Sequence, residues 1–206
     1  MTTSPDDLVD RGEDASVGSL LISGTAFPVE VAMFVGAYWS QRQESREQAA
    51  ERISRYLKRL ASRDEFASWF LKARKRSAAL APLGVLPDEV ASKLKVNRRD
   101  VGGDVISELG FSLAVWNGAE ASLDITIGAF SPYILNSAVL SFRDPAATRS
   151  PIDCRPLMDA AIDAFDPEQA VVTSNELLTR TNAKEPWDAG WLTYSRGGEV
   201  VEHAIL

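Results

Sequence analysis

The sequence predicts an α+β fold: a mainly antiparallel sheet with a helical hairpin and a further helix packed on one side. Three observations lead there. A β-branched and aromatic run over residues 29–38 passes directly into a segment of helical period that begins near Ser45. Three strand-like runs then follow one another at residues 111–118, 121–130 and 136–142, the first two meeting at the turn dipeptide Asn117-Gly118. A second long amphipathic segment, residues 151–165, comes only after those strands and precedes three short ones. The order β, αα, βββ, α and then short strands gives helices on one side of an antiparallel sheet.

Taken in order, residues 1–16 are polar, charged and free of aromatics, and are expected to form a disordered or loosely attached acidic tail. Residues 17–206 are then a single α+β domain. Residues 29–38 (VEVAMFVGAY) read as a largely buried strand. Ser45 with Gln48 three positions on suggests a capping box. Ala49, Ile53, Tyr56, Leu57 and Leu60 then fall on one face of a helix, and the other positions carry charges that include Arg52, Arg55 and Arg59.

A second helix is expected from about Asp64 to Lys75, capped by Asp64, with Phe66, Trp69, Phe70 and Ala73 as its apolar face. It would complete an antiparallel helical hairpin. Residues 77–108 are irregular, with prolines at 82 and 87, glycines at 84, 102 and 103, and a brief helix over 88–95. Leu123, Ile125 and Ile127 alternate with Asp124 and Thr126, as in a half-buried strand, and residues 136–142 continue the meander. In the helix over 151–165, Leu157, Met158, Ala161, Ile162 and Phe165 face inward while Asp159, Asp163 and Asp166 face outward. A short strand at 170–172, a helical turn at 176–179, a strand at 191–194 and a last strand at 199–205 complete the chain.

The 206 residues suffice for an ordinary core. A net charge of -7 argues against general nucleic-acid binding, which needs a basic face. That charge is unevenly spread: residues 1–40 carry six acids and one base, residues 41–100 eight acids and fifteen bases, residues 101–206 fifteen acids and six bases. A single cysteine, Cys154, forms no internal disulfide and fits a reducing compartment as a small buried thiol. The first residues lack the basic and apolar regions of a signal peptide, and the apolar run over 17–38 is interrupted by Pro28 and Glu30. A cytoplasmic protein with no membrane association is expected.

Catalytic chemistry finds little footing. With one histidine, His203, and one cysteine, zinc sites built from those ligands are out of reach. No G-x-S-x-G elbow accompanies His203, which reads as an exposed residue of the last strand. Gly102-Gly103 has no following Lys-Ser/Thr, so it reads as a turn rather than a phosphate cradle. No Glu-x-Lys or Asp-x-Lys stands at a strand position, which removes a restriction-type nuclease core. The five tryptophans, at 39, 69, 116, 187 and 191, are better core anchors than base-stacking platforms in so acidic a chain. No catalytic residue, metal ligand or cofactor is assigned.

Three segments carry a resemblance. The first is Tyr38-Trp39, a polar turn and AAERISRYLKRLASRDEFASWF. The second is LGFSLAVWNG with ASLDITIGAFSP and NSAVLSF. The third is DPEQAVVTSNEL followed by Gly190-Trp191-Leu192-Thr193-Tyr194. In order and spacing, over about residues 31–195, the chain resembles the immunity protein 52 family, antitoxins of bacterial polymorphic toxin systems. The resemblance implies a cytoplasmic protein that performs no catalysis and neutralises a cognate secreted toxin by binding it. That toxin is often a type VI secretion effector with a restriction-endonuclease-like DNase domain. The recurring residues Tyr38, Trp39, Trp116, Asn117 and Trp191 more plausibly hold the fold than contact the toxin. A non-inhibitory effector adaptor or chaperone of a secretion system is the alternative function.

A DNase domain is basic where it holds phosphates, so an acidic surface would both attract and mask it. The acidic helix and its exit, Asp153, Asp159, Asp163, Asp166 and Glu168, form the expected toxin-binding face. The competing surface is the basic rim at Arg52, Arg55 and Arg59.

Overall fold

The computed structural model describes residues 33–71, 81–97, 106–142 and 150–204. The tail expected at residues 1–16 lies outside them. β1 (Met33–Trp39) leads into α1 (Arg46–Leu60), a 3-10 turn (Asp64–Phe66) and β2 (Trp69–Leu71). β3 (Pro82–Leu83), α2 (Pro87–Lys93) and β4 (Lys95–Val96) follow, then a 3-10 turn (Ser107–Leu109), β5 (Phe111–Trp116), β6 (Ala121–Ile127) and β7 (Asn136–Phe142). A 3-10 turn at Pro151–Cys154 runs into α3 (Arg155–Phe165), after which come β8 (Gln169–Thr173), α4 (Asn175–Thr181), β9 (Leu192–Ser195) and β10 (Val201–Glu202).

All ten strands of the described residues join one antiparallel sheet in the order β10-β9-β8-β1-β7-β6-β5-β2-β3, with β4 also on β5. The α+β class and the antiparallel meander expected from the sequence are therefore what the chain forms. β1 occupies an inner position, paired to β7 on one edge and β8 on the other, and all seven of its residues are buried. Because side chains alternate across a strand, Met33, Val35, Ala37 and Trp39 face one layer and Phe34 and Tyr38 the other.

The first layer is helical. The capping box forms as expected: Gln48 N donates to Ser45 Oγ at 3.2 Å, and Ser45 N donates to Gln48 Oε1 at 2.9 Å. Ala49, Ile53, Tyr56, Leu57 and Leu60 are all buried, so the sequence periodicity marked the correct face. α1 contacts both α2 and α3 and covers the sheet with them. The Phe165 ring stacks on Trp39 (centroids 5.3 Å apart, planes 12° apart) and takes the edge of Tyr56 at 5.2 Å. These contacts tie β1, α1 and α3 together. The opposite face is covered in part by Leu178 of α4 and by Trp187, packed on Phe34, Tyr38 and Val171. The sheet thus carries a helix on this side as well.

The segment after α1 differs most from expectation. Residues from Asp64 onward do not continue as the second helix of a hairpin. Asp64–Phe66 is a single 3-10 turn, and Trp69–Leu71 is a strand paired to both β3 and β5. Phe66 is buried and stacks on Trp69 with centroids 6.0 Å apart. The spacing of Phe66, Trp69 and Phe70 fits a helix, but aromatic side chains suit strands, and an unpaired edge of β5 was there to be filled. Residues 72–75 lie outside the described segments. The helical neighbours of α1 are α2 and α3 instead.

The Asn117-Gly118 signal marks a four-residue connection. Asn117 N donates to Ala121 O at 3.0 Å, and Asn117 Oδ1 accepts from the amides of Ala119 and Ala121 at 3.0 and 2.9 Å. The last two strands are shifted or shortened relative to expectation, with β9 at Leu192–Ser195 and β10 only Val201–Glu202.

Burial raises the phenols of Tyr38 and Tyr56 above their ordinary value of 10.0. An unfolded chain ionises these tyrosines near pH 10, whereas the folded chain holds them neutral. Their contribution to stability is therefore complete below that pH and is lost as the pH rises beyond it. Alkaline titration should show Tyr38 and Tyr56 absorbing as phenolates only as the fold is lost. Phenolate absorbance that saturates while the far-ultraviolet circular dichroism stays native would contradict this.

Candidate functional site

β1 delivers its last residues to a polar loop, and that loop is knotted to the end of α3. Glu44, whose side chain is 5% exposed, places one carboxylate oxygen 2.9 Å from Arg42 Nε and 2.8 Å from Arg52 Nε. Each arginine also reaches the open carbonyls at the C-terminus of α3. Arg42 Nη2 donates to Phe165 O at 2.7 Å, and Arg52 Nη1 donates to Ala164 O at 3.2 Å. The last turn of a helix leaves such carbonyls unpaired and its dipole favours cations there, so both needs are met at once. Arg42 also lies over the Trp39 ring, 5.1 Å from its centroid. Burial lowers the Arg42 pKa, and the nearby Glu44 carboxylate opposes that.

In sequence these residues look like a solvated turn and a helix rim. Only the approach of α3 shows that Arg42, Glu44 and Arg52 act together. Beside them a cleft of about 360 Å³ is lined by Gln43, Gln48, Glu51 and Arg55 as well. It is polar and of mixed charge, suited to a polar partner surface rather than to an apolar ligand.

The five acids expected to bind a partner fall into two groups. Asp153, Asp159 and Asp163 lie along the 3-10 turn and α3, all exposed. Asp159 pairs with Arg155 one turn back at 3.1 Å, and Asp163 reaches across to Arg59 of α1 at 2.9 Å. Asp153 accepts from Arg63 through its main-chain oxygen at 3.3 Å. Asp166 and Glu168 belong instead to the α3–β8 connection. Asp166 caps α3 in the left-handed conformation (φ 46°). Its carbonyl accepts from Arg196 Nη2 at 2.6 Å. Glu168 accepts from Ser40 Oγ at 2.6 Å, and Arg196 lies 3.7 Å from it.

Exposed ion pairs of this kind contribute little, roughly 0–1 kcal/mol each, so these carboxylates can change partners at small cost. The basic rim is divided differently. Arg52 is committed to Glu44 and α3, Arg59 pairs with Asp163, and Arg55 is exposed.

The remaining candidates have structural places. His203 is exposed, with Nε2 2.7 Å from Thr193 Oγ1. Cys154 is fully buried at the N-cap of α3. Trp39 and Trp69 are core anchors at 1% exposure, whereas Trp116, Trp187 and Trp191 are half-buried. Among the described residues no group of three or more His, Cys, Asp or Glu is placed to hold a metal ion, and no helix is long and apolar enough to cross a membrane.

Comparison with known proteins gives one family. The model of the family described as immunity protein 52 matches residues 32–200 of this chain. No curated protein matches. Among solved structures, a Pseudomonas aeruginosa T6SS protein is similar with a TM-score of 0.41 at 14% identity, over 68% of this chain and 39% of that one. The chain therefore aligns with well under half of that protein's length.

Removing the carboxylate that bridges Arg42 and Arg52 leaves two partly buried cations facing each other. Glu44→Ala should cost about 3 kcal/mol in urea denaturation, with Glu44→Gln losing less. A Glu44→Ala midpoint equal to that of the unaltered protein would show the knot to be dispensable.

Proposed function

The chain belongs to the immunity protein 52 family, and from that premise we propose that it is an antitoxin acting in the cytoplasm of the cell that makes a secreted toxin. It binds that one cognate toxin and occludes it, with no catalysis of its own. The observation that carries this reading is the family match itself, which runs from the residue before β1 to the turn before β10.

The target in this reading is a basic, restriction-endonuclease-like DNase domain of a type VI effector. Support for a basic target comes from the balance of charge, -7 over the chain. It comes also from the exposed acids on and after α3. Opposite charge steers encounter and raises the association rate above that of neutral surfaces. Asp153, Asp159, Asp163, Asp166 and Glu168 form the contact face in this proposal. A stable complex would bury on the order of 1,600 Å² in all.

The test is co-expression with the toxin domain encoded beside this chain, read as survival and as co-elution on size exclusion. Growth rescue with a stable complex is expected. A complex without rescue would assign the protein to a non-inhibitory adaptor or chaperone role, and no complex would overturn the antitoxin reading. Within a confirmed complex, Asp159→Lys with Asp163→Lys should slow association about tenfold at low salt. An unchanged rate would remove α3 from the contact face.

A further inference from the structure

We propose that Tyr133, at the tip of the β6–β7 connection, is the aromatic anchor through which this protein engages its basic toxin, with the loops at the same end of the sheet as the surrounding rim. The inference rests on the antitoxin reading and adds to it a specific surface.

Large apolar side chains exposed singly on a surface are ordinary. Tyr133 is distinguished by degree and by support. It is 85% exposed, against 57% for Leu86 and 51% for Val201. Its loop is held firmly from below. Phe130 N and Ser131 N both donate to Glu108 O, at 3.0 and 3.2 Å, and Ile134 N donates to Ser131 O at 3.2 Å across a turn that contains Pro132. At the root of the loop, buried Asn136 accepts from Ala129 N at 2.9 Å and donates to Ala129 O at 2.9 Å and Ser40 O at 2.8 Å. Little loop order remains to be imposed when a partner arrives, which is the condition under which an exposed aromatic yields affinity. A tyrosine gives broad apolar contact plus one hydroxyl at the cost of two rotatable bonds, which is why it recurs at binding hot spots.

Sheet register sets what surrounds it. Trp39 pairs with Asn136, Tyr38 with Gln169, Gln169 with Ser195, and Phe111 with Ile127. The loops that follow β1, β6 and β9 and those that precede β5 and β8 therefore share one end of the sheet with Tyr133. Exposed or half-exposed Glu108, Asp166 and Glu168 lie there with two arginines, exposed Arg196 of the β9–β10 turn and half-exposed Arg42 of the loop after β1, so acids remain in excess. An aromatic tip with an acidic rim is complementary to a cationic protein surface and opposed to an acidic one or to nucleic acid. Asp166 and Glu168 thus belong with Tyr133, while Asp159 lies further back along α3.

The experiment measures binding of the toxin domain, carrying a mutation that abolishes its own activity, to the full chain, to Tyr133→Ala, to Glu108→Lys and to Asp88→Asn. Tyr133→Ala should weaken affinity about 30-fold or more, chiefly by faster dissociation, with an unchanged melting temperature. Glu108→Lys should slow association, and Asp88→Asn, at an exposed acid of α2 outside the contact face, should change affinity less than threefold. If the unaltered chain does not bind, the antitoxin reading fails and this inference falls with it. If it binds and Tyr133→Ala binds within threefold of it, the inference alone is overturned. Sedimentation of the chain without toxin covers the other occupant. Conversion of a dimer to a monomer by Tyr133→Ala, with toxin affinity retained, would make the surface a self-association patch and reject the proposal.

Discussion

β1 is the constraint around which the molecule is arranged. A seven-residue strand buried on both faces and bonded on both edges cannot be satisfied locally. It needs β7 and β8 from the second half of the chain for its backbone, α1 and α3 for one face, and α4 with Trp187 for part of the other. The stack of Trp39 on Phe165, with Tyr56 at the edge, joins these demands at one place. The residues that recur in the family resemblance lie largely in this framework or in its turns, which agrees with a role in holding shape.

The same strand determines where the loops of the proposed toxin-binding end emerge. At its C-terminal end the chain must leave a fully buried layer and start a helix within a few residues. It does so over Arg42, Glu44 and the Ser45 cap, braced against the α3 terminus. Buried charges there are mutually paired and committed to structure. Charges a few ångströms further out, at Asp166, Glu168 and Arg196, keep substantial exposure. A rigid base beneath accessible charged and aromatic groups suits the proposed occlusion of a toxin, because a partner then meets a surface that is already formed.

Much of this was legible from sequence. The capping residues, the buried face of α1, the bounds of β7 and the inward positions of α3 all follow from short-range periodicity, and short-range geometry is what periodicity encodes. The segment after Asp64 was not legible, since three aromatics at helical spacing fit a strand equally well until β5 presents an open edge. The placement of α4 on the opposite face depended on which side of the sheet remained uncovered after α1, α2 and α3 had packed.

The sequence by itself determined the α+β class, the antiparallel meander, the family and the supply of acidic side chains. Only the tertiary structure decided which charges are spent inside and which are offered outside. Arg59 and Asp163, or Arg42 and the Phe165 carbonyl, are remote in the chain and meet because two helices pack on one strand. An ion pair depends on distances of a few ångströms, and those are set by packing rather than by neighbouring residues. The exposure of Tyr133 has the same origin. Its residue type is written in the chain, but its position at a braced loop tip results from the pairing of β1 with β7 and the clamp at Asn136.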